Sequence, residues 1–125
     1  FKNPIKTQKS TEIIYGLRNF IGNANKFSNK KVKIYLKSDN NNTEVKILDD
    51  GPGFPKDLID SHKLGEPYIR STQKSHISKY GLGLGTFIGK TLLEKNFAKI
   101  KFENINQNGG AKVVIIWVNS DLNKI

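Results

Sequence analysis

Two short glycine-rich segments place the strongest limits on how this chain can fold. In the first, residues 49–53 (D-D-G-P-G), a carboxylate stands just before a turn that only glycines can make tightly. In the second, residues 81–85 (G-L-G-L-G), a glycine run leads directly into apolar residues at helical spacing. We therefore expect the first segment to follow a strand and the second to open a helix, where bare backbone N–H groups can approach phosphates.

The apolar pattern along the chain predicts an α/β sandwich. Alternating apolar and polar residues indicate strands, and apolar residues three or four positions apart indicate helices. The predicted elements are a helix from residue 11, strands over 31–37 and 43–48, a short helix over 55–60, a helix over 84–95, and strands over 99–103 and 112–118 joined by a turn over 104–110. This order predicts a mixed, mostly antiparallel sheet with helices on one face.

Length and composition narrow the class of protein. The 125 residues are enough for one domain with its own core. We expect this domain over residues 11–125 and expect it to be a monomer. Residues 1–10 are expected to be a lead-in from a missing upstream domain. The absence of cysteine excludes disulfides and thiolate metal sites. No apolar run approaches the roughly 18 residues of a membrane span, so we expect no membrane contact by this segment.

The net charge of +10 comes from 21 basic and 11 acidic residues, a balance that is common in proteins that bind nucleic acid. Here, however, the lysines are scattered along the chain, and Arg18 and Arg70 are its only arginines. We therefore expect no nucleic-acid partner. The positive potential instead favours a triphosphate or an acidic protein surface.

Two asparagines on the first predicted helix are candidates for a metal site. Asn19 and Asn23 are four residues apart, so their amides point the same way and can reach a metal with its phosphates. Asn23 could supply a neutral oxygen to Mg²⁺ while Asn19 orders its shell; alternatively, both are ordinary surface asparagines. One turn on, Lys26 could reach a phosphate or simply be solvated, and Phe27 could stack on a base or belong to the core.

Asp49 is the candidate for base recognition. A carboxylate at a strand end can accept the exocyclic amine of adenine, while Gly51 and Gly53 let the base lie close. The alternative is a turn aspartate that caps the following helix or stabilises its own turn, and Asp50 fits that structural role better.

The glycine run of the second segment is a candidate phosphate loop. Gly81, Gly83 and Gly85 stand where a phosphate chain would pass, while Leu82 and Leu84 anchor the loop. The run is not a Walker P-loop, because no Lys-Ser/Thr pair follows it, and it is not a dinucleotide fingerprint, because no strand immediately precedes it.

The long polar segment before the glycine run offers further candidates. Arg70, Lys74 and Lys79 could contact phosphates when this loop closes, although each also fits an ordinary exposed cation. His62 and His76 lack a neighbouring carboxylate or cysteine partner, so we expect no catalytic or phosphoacceptor role for them.

Taken together, the segments resemble the GHKL ATPase superfamily over residues 11–118. The sequence E-I-I-Y-G-L-R-N-F-I-G-N-A-N-K-F-S resembles its N box, D-D-G-P-G-F-P its first glycine box and G-L-G-L-G-T-F-I its second. The N-A-x-K-F ending, the G-L-G-L-G form and the final G-G-A-K-V-V-I-I-W are similar to bacterial sensor histidine kinases. The sequence L-G-E-P-Y-I-R-S-T and the later F-E-N are similar to the redox-responding global-regulator sensor kinases of alphaproteobacteria.

This resemblance implies a GHKL (Bergerat) fold that binds ATP and Mg²⁺. By position, it implies that Asn23 binds Mg²⁺ with support from Asn19, that Lys26 faces phosphate, that Phe27 flanks adenine and that Asp49 accepts its amine. The implied pocket-shaping glycines are Gly51, Gly53, Gly81, Gly83 and Gly85, and the implied mobile ATP lid is 67–79.

The resemblance also implies an activity and its partners. The γ-phosphoryl group of Mg·ATP would pass to a histidine on a dimerisation domain, absent here, and a response regulator would act through the full-length protein. That protein would be anchored in the inner membrane, with this domain in the cytoplasm. Asn25 departs from the family, whose members usually have an apolar residue there.

Two alternatives stay open within the same superfamily. One is a module that binds ATP only to dock a partner protein, and the other is an anti-sigma-type serine kinase. A histidine followed by an acidic residue on a helical pair upstream of this segment would favour the histidine kinase.

Overall fold

The computed structural model describes residues 11–54, 84–106 and 109–122. The elements in chain order are α1 (Thr11–Phe27), β1 (Val32–Ser38), β2 (Asn42–Asp49), α2 (Leu84–Lys95), β3 (Lys99–Asn106), β4 (Gly109–Val118) and the short α3 (Asn119–Leu122). The predicted helix over 55–60 and the predicted lid lie outside the described residues. Within the described ranges, no helix is long and apolar enough to cross a lipid bilayer.

The four strands form one sheet in the order β1-β2-β4-β3. Each neighbouring pair of these strands is antiparallel, which confirms the predicted mostly antiparallel sheet. The order makes β2 and β4 the central strands. Ile47 of β2 therefore lies opposite Val113 of β4, which in turn lies opposite Phe102 of β3.

The turn between β3 and β4 is shorter than the sequence predicted. We expected a turn over 104–110, but β3 continues to Asn106, which pairs with Gly109 at the start of β4. Gly109 and Gly110 have φ angles of 134° and 80°. Glycine adopts these angles without steric penalty, so the ladder continues through residues that composition alone assigns to a turn.

The core lies between one face of the sheet and the two long helices, as predicted. Alternate residues of β4, Val113, Ile115 and Trp117, point to this face and are buried together with Ile47 of β2. Helix α1 packs against β2, and α2 packs against β3 and α1. Burying each large aliphatic side chain in this layer contributes about 1.5–3 kcal/mol.

The two long helices cross closely because glycines face each other there. A Cβ atom on Gly16 would lie 2.6 Å from Cγ of Leu93, and one on Gly89 would lie 3.2 Å from Cβ of Asn19. Leu93 is completely buried. The crossing therefore sets how near the start of α2 comes to the C-terminal half of α1.

Candidate functional site

A pocket opens where the C-terminal half of α1, the end of β2, the start of β4 and the start of α2 meet. Among the residues that the structure describes, three polar side chains line it: Asn23, Asp49 and Thr86. The remaining wall is mostly apolar and aromatic, and includes Phe20, Phe27, Phe54, Phe102 and Val113. An apolar pocket with a few convergent polar groups is the usual form of a small-molecule site.

Asp49 is the buried acid of this pocket, with only 7% of its surface exposed. Its Oδ1 accepts hydrogen bonds from the backbone N–H groups of Gly51 at 2.9 Å and Ala111 at 3.4 Å. Within residues 11–54, 84–106 and 109–122, no donor reaches Oδ2. Asp49 can thus accept a hydrogen bond from a ligand without giving up either backbone contact.

The electrostatics of Asp49 agree with this arrangement. Burial raises the pKa of its carboxyl group because water no longer solvates the anion, and the two backbone hydrogen bonds offset this only in part. The neighbouring charge of Asp50 raises the pKa further by a smaller amount. A donor from a ligand would stabilise the ionised carboxylate.

Asp50 has a structural role at the rim of the same region. Its carboxylate accepts hydrogen bonds from the backbone N–H groups of Asn29, Lys30 and Lys31 at 2.8–3.1 Å. These bonds, led by that of Lys30, hold the pKa of Asp50 below its ordinary value. Asp50 therefore ties the loop after α1 to the end of β2, rather than stabilising its own turn.

The two candidate asparagines occupy different environments. Nδ2 of Asn23 donates to Oγ1 of Thr86 at 3.1 Å, and Asn23 lines the pocket. Nδ2 of Asn19 donates to the carbonyl of Tyr15 at 2.9 Å, one turn back, and Asn19 lies beside Gly89 at the helix crossing. The structure thus brings Asn23 and Asp49 together, whereas Asn19 is not among the pocket-lining residues.

Phe27 and Lys26 end α1 next to the pocket. The Phe27 ring lines it, and Nζ of the exposed Lys26 lies 5.4 Å from the centroid of that ring. Lys26 does not line the pocket. Its contact with Phe27 nevertheless keeps a positive charge beside the pocket.

The first pair of candidate glycines allows the end of β2 to approach α1. A Cβ atom on Gly51 would overlap the backbone carbonyl oxygen of Phe27, and Gly53 lines the pocket with a φ of 84°. Both positions therefore require glycine, the first for space and the second for its backbone conformation.

The second glycine segment is only partly described. Leu84 and Gly85 begin α2, which confirms the predicted helix start. The other candidates, Arg70, Lys74, Lys79, Gly81, Leu82 and Gly83, lie outside the described residues, as do His62 and His76.

Sequence reasoning did not identify several residues that shape the site. Asn104 holds the backbone of Phe54 at both ends, since its Oδ1 accepts from the Phe54 N–H at 2.7 Å and its Nδ2 donates to the Phe54 carbonyl at 3.1 Å. The Phe54 ring then meets Phe102 edge to face, with centroids 5.6 Å apart. The segment around Asn104 has the composition of a turn, so the sequence did not indicate that Asn104 would hold the Phe54 backbone. Thr86 was not identified because it lies within a predicted helix of mostly apolar residues.

Comparison with known proteins places the chain in a family. The model for the histidine kinase-, DNA gyrase B-, and HSP90-like ATPase family matches residues 8–121. The sensor histidine kinase RegB of Cereibacter sphaeroides is 35% identical over 121 residues, covering 85% of this chain and 26% of RegB. The chain thus spans about a quarter of the length of this curated relative.

Solved structures show the same fold. The mycobacterial sensor histidine kinase MprB matches with a TM-score of 0.69 at 24% identity, over 89% of this chain and 74% of that chain. Full-length ShkA, in complex with AMPPNP, matches with a TM-score of 0.62 at 19% identity, over 85% of this chain and 21% of that chain. The predicted GHKL fold is confirmed. The chain belongs to the histidine kinase-, DNA gyrase B-, and HSP90-like ATPase family.

Proposed function

We propose that this chain is the ATP-binding catalytic domain of a two-component sensor histidine kinase, with residues 11–125 forming that domain. The observation that carries the proposal is the state of Asp49, a buried pocket carboxylate. Two backbone N–H groups hold one of its oxygens, and no donor among the described residues reaches the other. Its curated relative RegB is named a sensor histidine kinase, and the structure of ShkA was solved with the ATP analogue AMPPNP.

Asp49 selects adenine through the direction of its hydrogen bonding. The amine of adenine donates to Oδ2, whereas guanine presents a carbonyl oxygen at the same ring position and would repel the carboxylate. The aromatic walls contributed by Phe27 and Phe54 bury the faces of the base. Gly53 lines the pocket without a side chain that could obstruct the base.

The donors present fit Mg²⁺ held mainly by phosphates. Among the described residues there is no group of three or more His, Cys, Asp or Glu side chains that could hold a metal ion. Oδ1 of Asn23 is a neutral hard oxygen on the pocket wall, the kind of single protein ligand that Mg²⁺ accepts beside phosphate oxygens and water. When bound, the ion neutralises phosphate charge, and Asn23 would hold it with support from Asn19.

Catalysis of phosphoryl transfer depends mainly on positioning the phosphates and stabilising their negative charge. We assign Lys26 to the phosphates, together with Arg70, Lys79 and the segment Gly81–Gly85, whose backbone N–H groups would cradle the phosphate chain. The γ-phosphoryl group would pass to a histidine on a dimerisation domain of the same protein and then to a response regulator. We place this domain in the cytoplasm, in a protein anchored to the inner membrane.

Calorimetric titration with a non-hydrolysable ATP analogue tests the proposal through Asp49→Asn. The variant keeps the size of the side chain and an oxygen for Gly51 and Ala111, but presents N–H donors to the amine of adenine. We expect affinity to fall about 10- to 100-fold, because a hydrogen bond to a charged acceptor contributes about 1.5–3 kcal/mol. The preference for the ATP analogue over the GTP analogue should fall in parallel.

Asp39→Asn is the matched control. It removes the same charge at the far end of the β1–β2 hairpin, where Asp39 accepts from the backbone N–H groups of Asn41 and Asn42. Its affinity for the analogue should be unchanged. Undiminished affinity in Asp49→Asn would refute the assignment of adenine to Asp49.

The kinase assignment has its own test. With the phosphoacceptor histidine on another domain, this chain should bind ATP yet show little turnover with radiolabelled ATP. Addition of the dimerisation domain of the same protein should restore phosphorylation on that domain. Robust self-phosphorylation of this chain on His62 or His76 would contradict the proposal.

A further inference from the structure

Among the described residues, Thr86 is the most deeply buried polar side chain that the proposed nucleotide chemistry does not use. Its residue is 1% exposed, and it lies in the first turns of α2 at the pocket wall. A buried hydroxyl group is unfavourable unless it is hydrogen-bonded, and valine would fill the same volume without that penalty. The hydroxyl therefore needs an explanation beyond packing.

The partner of this hydroxyl is the amide of Asn23. Nδ2 of Asn23 donates to Oγ1 of Thr86 at 3.1 Å across the α1–α2 contact. Within the part of the chain that the structure describes, no donor reaches Oδ1 of Asn23. The hydrogen bond thus occupies the nitrogen end of the amide and leaves its oxygen end for a ligand.

The two ends of an asparagine amide are similar in size but opposite in polarity. Rotation about the last side-chain bond exchanges them with little change in shape, so neighbouring groups decide which end faces the pocket. Only the oxygen end can bind a cation, whereas the NH₂ end would repel it. A threonine hydroxyl can pair with either end of the amide, so Thr86 supplies an acceptor for the NH₂ group whenever the oxygen faces a cation. Without that acceptor, the orientation that binds metal would leave the NH₂ group unpaired against the pocket wall.

We infer that Thr86 is a positioning residue that orients Asn23, so that the carbonyl oxygen of its side chain faces the metal ion bound with the nucleotide phosphates. The inference rests on the proposed function, since it takes Asn23 as a metal ligand. It adds that the strength of metal binding depends on a hydroxyl group at the start of α2. Thr86 itself contacts neither metal nor phosphate in this arrangement.

Titration of an ATP analogue in EDTA and in excess Mg²⁺ tests the inference, with the ratio of the two affinities as the readout. Thr86→Val keeps the shape but removes the acceptor, so metal binding would leave the NH₂ group of Asn23 without a partner, whereas the metal-free amide can turn that group towards the pocket. The ratio should therefore fall about five-fold, as expected for one neutral hydrogen bond. Its affinity in EDTA should stay within about two-fold of the parent chain, because the base contacts are untouched. Thr86→Ser restores the hydroxyl and should restore the ratio.

Two further variants separate positioning from packing. In the Asn23→Ala background, Thr86→Val should have no additional effect on the ratio, because a residue that acts through another loses its effect when the other is removed. Thr43→Val is the matched control, since Thr43 is also buried but donates to Asn119 far from the pocket. It should leave the ratio unchanged, and melting curves should show all variants folded.

The outcomes distinguish this inference from the proposed function. An unchanged ratio in Thr86→Val, equal losses with and without Mg²⁺, or additive effects with Asn23→Ala would each overturn the positioning role. If Asn23→Ala leaves the ratio unchanged, the metal role of Asn23 fails and the role of Thr86 fails with it. The dependence of affinity on Asp49 is measured separately, so ATP binding would still stand in that case.

Discussion

The crossing of α1 and α2 provides a matched pair of substitutions, Gly16→Ala and Gly22→Ala, that tests how tightly the two helices must pack. Both glycines lie within α1, and alanine at either position should gain about 0.8–1 kcal/mol of helix propensity. At Gly22, which is exposed, a Cβ atom would meet nothing within 4 Å. Gly22→Ala should therefore stabilise the fold by about that amount.

Gly16→Ala should act in the opposite direction. Its Cβ atom would lie 2.6 Å from Cγ and 2.8 Å from Cδ2 of Leu93, a side chain with no exposed surface. Overpacking of this kind costs about 1–3 kcal/mol. Because the gain in helix propensity is common to both variants, the difference between their free energies of unfolding isolates this packing cost.

Urea unfolding followed by circular dichroism measures that difference directly. We expect Gly22→Ala to be more stable than Gly16→Ala by about 1–3 kcal/mol, or about 4 °C in melting temperature for each kcal/mol. The displaced α2 should also weaken the contact between Asn23 and Thr86, and so lower the Mg²⁺-dependent part of ATP-analogue affinity in Gly16→Ala. Equal stability of the two variants would refute the argument that the helix crossing depends on glycine.

Four further predictions follow from individual residues. Because burial raises the pKa of Asp49 and adenine needs the ionised form, analogue affinity should fall as pH falls through that raised pKa, and a titration series on Asp49→Asn should be flat by comparison. The raised pKa also affects folding. The stability that protonated Asp49 contributes is fully present below the pKa of Asp49 in the unfolded chain, and it is lost as pH rises through the pKa in the folded protein. Urea unfolding at a series of pH values should show this loss, and the same pH dependence in Asp49→Asn would contradict it. Phe97, two residues after the end of α2, has a φ of 73°, a conformation that glycine adopts freely. Phe97→Gly should relieve about 1–2 kcal/mol of backbone strain and lose about 1 kcal/mol from the half-buried ring, so a small net stabilisation is expected and a lower melting temperature would argue against this. Asn104→Ala should cost about 1–3 kcal/mol of stability and weaken analogue binding, since it removes both hydrogen bonds to the Phe54 backbone; unchanged melting and affinity would contradict that role.

Local patterns in the sequence were enough to identify the two long helices, the four strands of the described sheet and part of the pocket, but not the short α3. Alternation predicted the strand that holds Ile47, and helical spacing predicted the helix that holds Phe20; both residues are in the core. Asp49 could be named as a candidate because a carboxylate stands directly before two closely spaced glycines. Asn23 could be named because a second asparagine lies one helical turn before it. Such relations involve only a few consecutive residues, so the chain itself encodes them.

The contacts between distant segments were decided by the tertiary structure alone. The hydrogen bond from Asn23 to Thr86 spans 63 positions, and the one from Ala111 to Asp49 spans 62. Asn104 was assigned to a turn because its composition is typical of one, yet pairing with β4 placed it in a strand beside Phe54. Composition and periodicity report which face of an element is buried, whereas the partner of a buried polar atom depends on the distance and direction at which two packed elements meet.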